Sequence, residues 1–337
     1  AMTPPSPLPA AHPPVAPRRI GVIVTNLGTP DAPEPGAVKR YLGQFLSDRR
    51  VVELPPILWQ PILRGIILNT RPRKSAAAYR EVWTDRGSPL AAITQDQAHA
   101  LQARLGDAVL VRHAMRYGKP AIGDVLAEMM AEGCDRILLA PLYPQYCGAT
   151  TATANDAAFA RMAAMRWQPA VRTLPPYFDD PAHVAALADS LRTSLAALDF
   201  EPERILASFH GMPERTLHLG DPYHCQCRKT GRLLAEALGR PIDISFQSRF
   251  GRAKWLEPAT DAELERLARE GVRRIAVVAP GFSADCLETL EELAIRGREQ
   301  FVEAGGNDFA YLPCLNASEP GMAMLEALIR RELAGWI

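Results

Sequence analysis

The chain has 337 residues, 47% of them hydrophobic and 23% charged. That length fits about two domains of roughly 150 residues, and the composition excludes collagen, coiled coil and wholesale disorder. Lys and Arg number 38, Asp and Glu 38, so the net charge is zero and gives no electrostatic argument for a nucleic-acid partner.

Residues 1–17 hold seven prolines and predict a disordered or polyproline-like tail. They lack a basic start followed by an apolar stretch, so no secretory signal is expected. No apolar run reaches the roughly 18–20 residues of a membrane span. A cytoplasmic location is therefore expected, with reduced cysteines.

From Arg18 onward, short β-branched runs alternate with longer helical periods. Strands are predicted at 20–25, 108–114, 136–140, 170–174, 204–209, 243–247, 274–279 and 309–312. Helices are predicted near 89–105, 120–133, 150–165, 181–198, 226–238, 260–270 and 285–304. Such alternation argues for an α/β fold of parallel sheets with flanking helices. A repeat is visible: Arg116-Tyr117-Gly118, a helix, then Glu132-Gly133 and an apolar strand to Pro141 match Arg249-Phe250-Gly251, a helix, then Glu270-Gly271 and a strand to Pro280. Two Rossmann-like domains follow, 18–178 and 179–337.

The first half carries about 50 extra residues, around 41–90, at the end of its first strand, where ligands of parallel sheets bind. Within them, residues 54–68 contain a single charge, Arg64, and Arg71, Arg73 and Lys74 follow at once. Two readings stand: a core helix, or an apolar lip that touches a membrane surface or admits a large flat ligand.

Three segments concentrate chemistry. Asp285, Glu288 and Glu292 have the spacing of one helical face, either a solvated face or a track for a hard cation or protons. His210 ends an apolar strand at the carboxyl edge of the second sheet, facing the equivalent turn at Asn26-Leu27. Tyr143 to Thr151 joins a strand to a helix opened by small hydroxyl residues, a setting that receives anions. The nucleotide-binding patterns GxGxxG and GxxxxGK[ST] are absent from the sequence, so no nucleotide cofactor is expected.

Together the stretches Asn26-Leu-Gly-Thr-Pro30, Tyr143-Pro-Gln-Tyr146, Ser208-Phe-His-Gly211, Gly220-Asp-Pro-Tyr223, Phe246 to Gly251 with Trp255, and Gly281 to Leu290 resemble the ferrochelatase family. The resemblance covers about residues 18–333. It implies two Rossmann-like domains of the class II chelatase fold with a porphyrin cleft between them. The implied activity is insertion of ferrous iron, as substrate, into protoporphyrin IX. It implies His210 and Glu288 as catalytic and metal-handling residues, with Asp285 and Glu292 on the acidic path. It implies Leu27, Arg116, Tyr117, Tyr143, Trp255 and Phe282 as porphyrin-lining positions. Arg116 and the hydroxyls near Thr150 are candidates to hold propionates. Animal members carry His where this chain has Cys286. A coproporphyrin chelatase and a non-catalytic haem-binding or haem-delivery protein are the competing readings.

Cys147, Cys225, Cys227 and Cys314 all fall in segments expected to follow strands, on the edge where the cleft opens. Some members of the family carry a [2Fe–2S] cluster, and four thiols are its ligand set. A cluster on these four and a set of ordinary thiols are both open readings of the sequence.

Overall fold

The computed structural model describes residues 11–337. Most of the tail expected to be disordered, residues 1–10, lies outside the described residues. Residues 12–17 are neither helix nor strand.

Among the described residues, eight strands form two parallel four-stranded sheets. They are β1 (Arg19–Gly28), β2 (Val109–Tyr117), β3 (Cys134–Pro141), β4 (Ala170–Thr173), β5 (Arg204–His210), β6 (Asp243–Gln247), β7 (Arg274–Val278) and β8 (Asp308–Leu312). The strand orders are β2-β1-β3-β4 and β6-β5-β7-β8, the same permutation twice, so the repeat read from the sequence is a repeat of topology. Central β1 is buried along Gly21–Asn26 and β5 along Ile205–Phe209. Continuous burial, rather than alternation, is what a parallel strand covered on both faces requires.

Helix starts follow local chemistry. Ser88 accepts a hydrogen bond from Ala91 N, and Pro89 opens the helix Pro89–Leu105. Asp180 caps Pro181–Ala196 in the same way. A side-chain acceptor at the cap followed by proline satisfies and removes free donors of the first turn.

Four apolar clusters organise the interior. One covers the outer face of the first sheet, from Ile23 to Ile137 and Leu139, and another the corresponding face of the second, from Leu206 to Val277. The largest is shared: Val22, Val24 and Leu138 of the first sheet belong to one cluster with Ala207, Phe209 and Val278 of the second. The fourth belongs to the insertion. It gathers Val38, Tyr41, Leu42, Trp59, Leu63 and Tyr79 around Tyr117. The insertion therefore has its own small core, built from the helices Pro35–Leu46, Pro56–Ile62 and Leu68–Val82 and the π-helical turn Leu63–Ile67. The first of these begins before residue 41, a helix the sequence reading did not mark. The C-terminal helix Glu319–Glu332, also unmarked, packs on both Pro89–Leu105 and Pro181–Ala196.

Candidate functional site

The carboxyl ends of β1, β3, β5 and β7 converge on one open cavity, with about 870 Å³ of empty space when the adjoining solvent is included. Asn26–Thr29 at the end of β1, Leu142, Tyr143, Gln145 and Thr150 after β3, and Tyr41, Tyr79 and Leu90 form the side of the first half. His210, Tyr223, Gly281–Ala284, Cys286, Leu287 and Glu288 form the other. The chain reaches the cavity through a tight turn at Gly28, where φ is +116°. A Cβ there would lie 1.9 Å from Tyr117 O, so only glycine fits. Tyr143 Oη is buried with no hydrogen-bond partner in the protein, leaving a donor at the cavity wall.

His210 sits at the last position of β5. Its Nδ1 lies 2.7 Å from Gly211 O. A carbonyl oxygen only accepts, so this contact places the ring proton on Nδ1 and leaves the Nε2 lone pair free. From behind, Tyr223 Oη donates to the His210 backbone oxygen at 2.8 Å. Glu288 opens the π-helical segment Glu288–Gly297. Burial, and then the charge of Glu288, push the Tyr79 phenol well up; in Tyr41, burial, Tyr79 and then Glu288 do so. Both tyrosines therefore stay neutral. Burial lowers the pKa of Arg71, and Glu288 opposes that shift. The Arg71 guanidinium lies 4.6 Å over the Phe250 ring, a cation–π contact between the insertion and the second half.

The other two carboxylates do not line the main cavity. Asp285 precedes the π-helical segment, and Glu292 lies about one turn after Glu288. Asp285 is buried and fully engaged, accepting from Tyr311 Oη at 2.6 Å, Thr289 Oγ1 at 2.8 Å and Asn316 Nδ2 at 2.8 Å. Glu292 faces a separate polar cavity of about 490 Å³, where it accepts from Ser248 N at 2.8 Å and from Ser248 Oγ at 2.5 Å.

Leu27, Tyr143, Thr150 and Phe282 line the main cavity beside His210 and Glu288. Arg116 and Tyr117 stand behind it. Arg116 Nη2 and Tyr117 Oη each reach Asp48 Oδ2 at 2.7 Å, and Arg116 Nε donates to Thr153 Oγ1 at 2.7 Å. Their polar atoms tie the insertion to the sheet. Trp255 donates to Phe250 O at 2.8 Å, and its ring would lie 3.2 Å from a Cβ on Gly211, so it packs beside the turn after His210.

The four cysteines are not gathered. Cys225 and Cys227 belong to the helix Tyr223–Leu238, not to a loop. Residues i and i+2 of a helix point to different sides, so Cys225 is exposed and Cys227 buried. Cys147 and Cys227 lie in the shared core, whereas Cys314 lies in the outer cluster of the second sheet, 3.4 Å from Tyr311 Oη. Burial pushes the Cys147 thiol up to about 12 and those of Cys227 and Cys314 well above their usual value. Among the described residues no three His, Cys, Asp or Glu side chains assemble as a metal site. A [2Fe–2S] cluster needs four thiolates at one site, and these four are divided between an exposed helix face and two separate apolar clusters.

Tyr41, Tyr79, Gln145 and Ser283 line the cavity without having been singled out as site residues in the sequence. Tyr41 and Tyr79 fall in the insertion, whose position after β1 was the available signal. Tyr223 ends Gly220-Asp-Pro-Tyr223, a stretch that carried the resemblance but no assigned role.

The ferrochelatase family model matches residues 19–333. A ferrochelatase of Rhizobium meliloti is 54% identical over 97% of this chain and 98% of its own. That of Agrobacterium fabrum is 51% identical over 98% of each. Among solved structures, SirB from Bacillus subtilis with Fe3+ superposes with a TM-score of 0.56 at 12% identity, covering 94% of this chain and 97% of that one. A sirohydrochlorin chelatase SirB in complex with cobalt gives 0.54 at 11%, also covering 94% and 97%. These likenesses establish the two-sheet α/β fold of chelatases, and the match along nearly the whole chain establishes that it belongs to the ferrochelatase family.

Proposed function

We propose that the main cavity seats a protoporphyrin IX ring edge-in between the two halves, 18–178 and 179–337, and that ferrous iron enters it past His210 and Glu288. The observation that carries this reading is the pairing of a free imidazole nitrogen and a carboxylate on one wall with an apolar and aromatic wall opposite. No observation favours the coproporphyrin or haem-delivery alternatives.

Insertion exchanges two pyrrole N–H protons for one Fe²⁺, so charge balances and two protons leave. Either His210 Nε2 accepts the two pyrrole protons in turn and hands each to Glu288, which releases it to solvent, or His210 ligates the incoming ion and Glu288 accepts and releases both protons. Leu27, Phe282, Tyr41 and Tyr79 grip the ring periphery, and that binding energy holds the ring bent enough to expose its nitrogen lone pairs. Thr150 and Tyr143 offer hydroxyl donors to the propionates.

The insertion presents an exposed apolar row that we read as the lip of the cavity. Ile57 and Leu58 are 83% and 62% exposed, with Leu54, Ile62 and Ile66 beside them in sequence, while Trp59 and Leu63 of the same turns are buried. Among the described residues no helix is long and apolar enough to cross a membrane. An exposed apolar row followed by Arg71, Arg73 and Lys74 suits shallow contact with an anionic lipid surface, from which an apolar porphyrin enters.

An anaerobic assay with ferrous iron and protoporphyrin IX tests the reading. Porphyrin fluorescence is lost, haem absorbance appears, and kcat/KM exceeds that with coproporphyrin. Absence of turnover, or a preference for coproporphyrin, contradicts it.

A further inference from the structure

The helix Tyr223–Leu238 touches both halves of the molecule. Asp221, just before it, accepts from Gly148 N of the first half through Oδ2 at 2.8 Å and from Tyr223 N through Oδ1 at 3.0 Å. Gln226 Oε1 accepts from Tyr146 N at 2.7 Å. Thr230 Oγ1 accepts from Gln145 Nε2 at 3.0 Å and donates to Phe178 O at 2.8 Å. Residues 223, 226 and 230 follow the i, i+3, i+7 rule, so one helical face is pinned rung by rung to the loop after β3. That loop supplies Tyr143 and Gln145 to the cavity. The same face supplies Tyr223, whose Oη is spent on the His210 carbonyl at 2.8 Å.

We propose that Tyr223 is the positioning residue of His210, and that Asp221 sets Tyr223 by clamping its helix to Gly148. The inference rests on His210 acting at the porphyrin nitrogens. The ring orientation of His210 depends on its own peptide plane, because Nδ1 bonds to Gly211 O, one residue along. Tyr223 fixes the carbonyl side of the His210 residue, and Gly211 N donates to Gln247 O at 2.6 Å on the next. The peptide that aims Nε2 is thus held from two elements, the helix and β6. Tyr223 lines the cavity wall with its ring, but its hydroxyl is already committed, so it acts through His210 rather than on the substrate. A hydroxyl kept neutral by burial remains a donor at any working pH. Clamping matters for rate because the proton acceptor must stay within about 0.5 Å of the productive position.

Tyr223→Phe keeps the ring and removes only the donor. With protoporphyrin IX and ferrous iron, kcat is expected to fall roughly tenfold, the loss of one well-placed hydrogen bond, while porphyrin KM and the thermal midpoint hold. Tyr177→Phe is the control, because Tyr177 Oη is buried without a partner; it leaves kcat unchanged. Should Tyr223→Phe not fold, Asp221→Ala and Asp221→Asn replace it. Alanine lowers kcat, and asparagine, which retains one acceptor oxygen, restores part of it. Wild-type kcat in Tyr223→Phe, or a fall in kcat matched by equal losses of porphyrin binding and thermal midpoint, overturns the proposal. Equal kcat in the two Asp221 variants does so as well. His210→Ala is measured in parallel: turnover in that variant removes the role of His210 itself, whereas an inactive His210→Ala beside an unaffected Tyr223→Phe removes only the clamp.

Discussion

Glu288 and Glu291 stand three residues apart on one π-helical segment and have opposite fates. Glu288 faces the cavity, whereas Glu291 is buried against Arg296 in a two-point ion pair of 2.7 and 3.0 Å. Glu288→Gln should lower kcat by about 10²–10⁴, the range of a lost general acid–base group. Glu291→Gln should leave kcat nearly intact and cost stability, read as a lower thermal midpoint. Equal losses of activity would show that only the charge of the segment matters. His183 makes a separate prediction. It is buried against the Tyr177 ring near Asp180, and burial depresses its pKa to about 4. The unfolded imidazole titrates near 6.5, so between those values the unfolded chain binds a proton that the folded one refuses. Stability from this group is present above about pH 6.5 and falls as pH drops toward 4, by up to about 3 kcal/mol. The thermal midpoint of His183→Gln should vary less than that of the wild type between pH 7 and pH 5; identical slopes would contradict this.

At the scale of elements, the strands were the most legible part of the sequence, because β-branched runs such as Ile20–Thr25 and Arg274–Ala279 are buried on both faces and admit no other reading. Helices were legible where apolar spacing met a cap, as at Ser88-Pro89. Glu319–Glu332 went unmarked although its start has the same chemistry, Ser318 with Pro320. The three π-helical segments leave no such mark, since i→i+5 winding is imposed by packing. The motifs led to His210 and Glu288, which the fold brings to one cavity, but gave no sign that Asp285 is engaged by Tyr311 and Asn316 and Glu292 by Ser248. The cysteines failed for a related reason: placing Cys225 and Cys227 in a loop made a shared site conceivable, and the helix separates them. A thiol reagent should therefore modify Cys225 rapidly in the native protein and the five buried thiols only on unfolding. Two irons and two labile sulfides per chain, lost in Cys225→Ser, would contradict that account. The rim of the insertion is testable with vesicles of anionic phospholipid. Replacing Ile57, Leu58 and Ile62 by Ser should reduce co-sedimentation without lowering the thermal midpoint, because all three are exposed. Unchanged co-sedimentation would remove the membrane role.

For the whole molecule, the two sheets share one apolar core. Beyond the shared apolar cluster, Arg104 of the first half pairs with Glu326 at 2.9 Å and with Glu319, both on the C-terminal helix. Gln97 Nε2 donates to Ser283 O and Asn316 O, each at 3.1 Å. Arg172 beside β3 donates to Ala334 O at 3.0 Å and covers the Trp336 ring at 4.1 Å. The cavity lies in the seam that these contacts close, so its width is set by the packing of both halves. Leu27, Tyr41 and Tyr79 line the cavity from one half, and Phe282, His210 and Glu288 from the other. Everything in this account turns on the free Nε2 of His210. The measurement that tests it most directly is turnover and binding in His210→Ala, with protoporphyrin IX and ferrous iron under anaerobic conditions. The account predicts that porphyrin still binds, read by fluorescence quenching, and that haem formation is abolished. Turnover near the wild-type rate would contradict it.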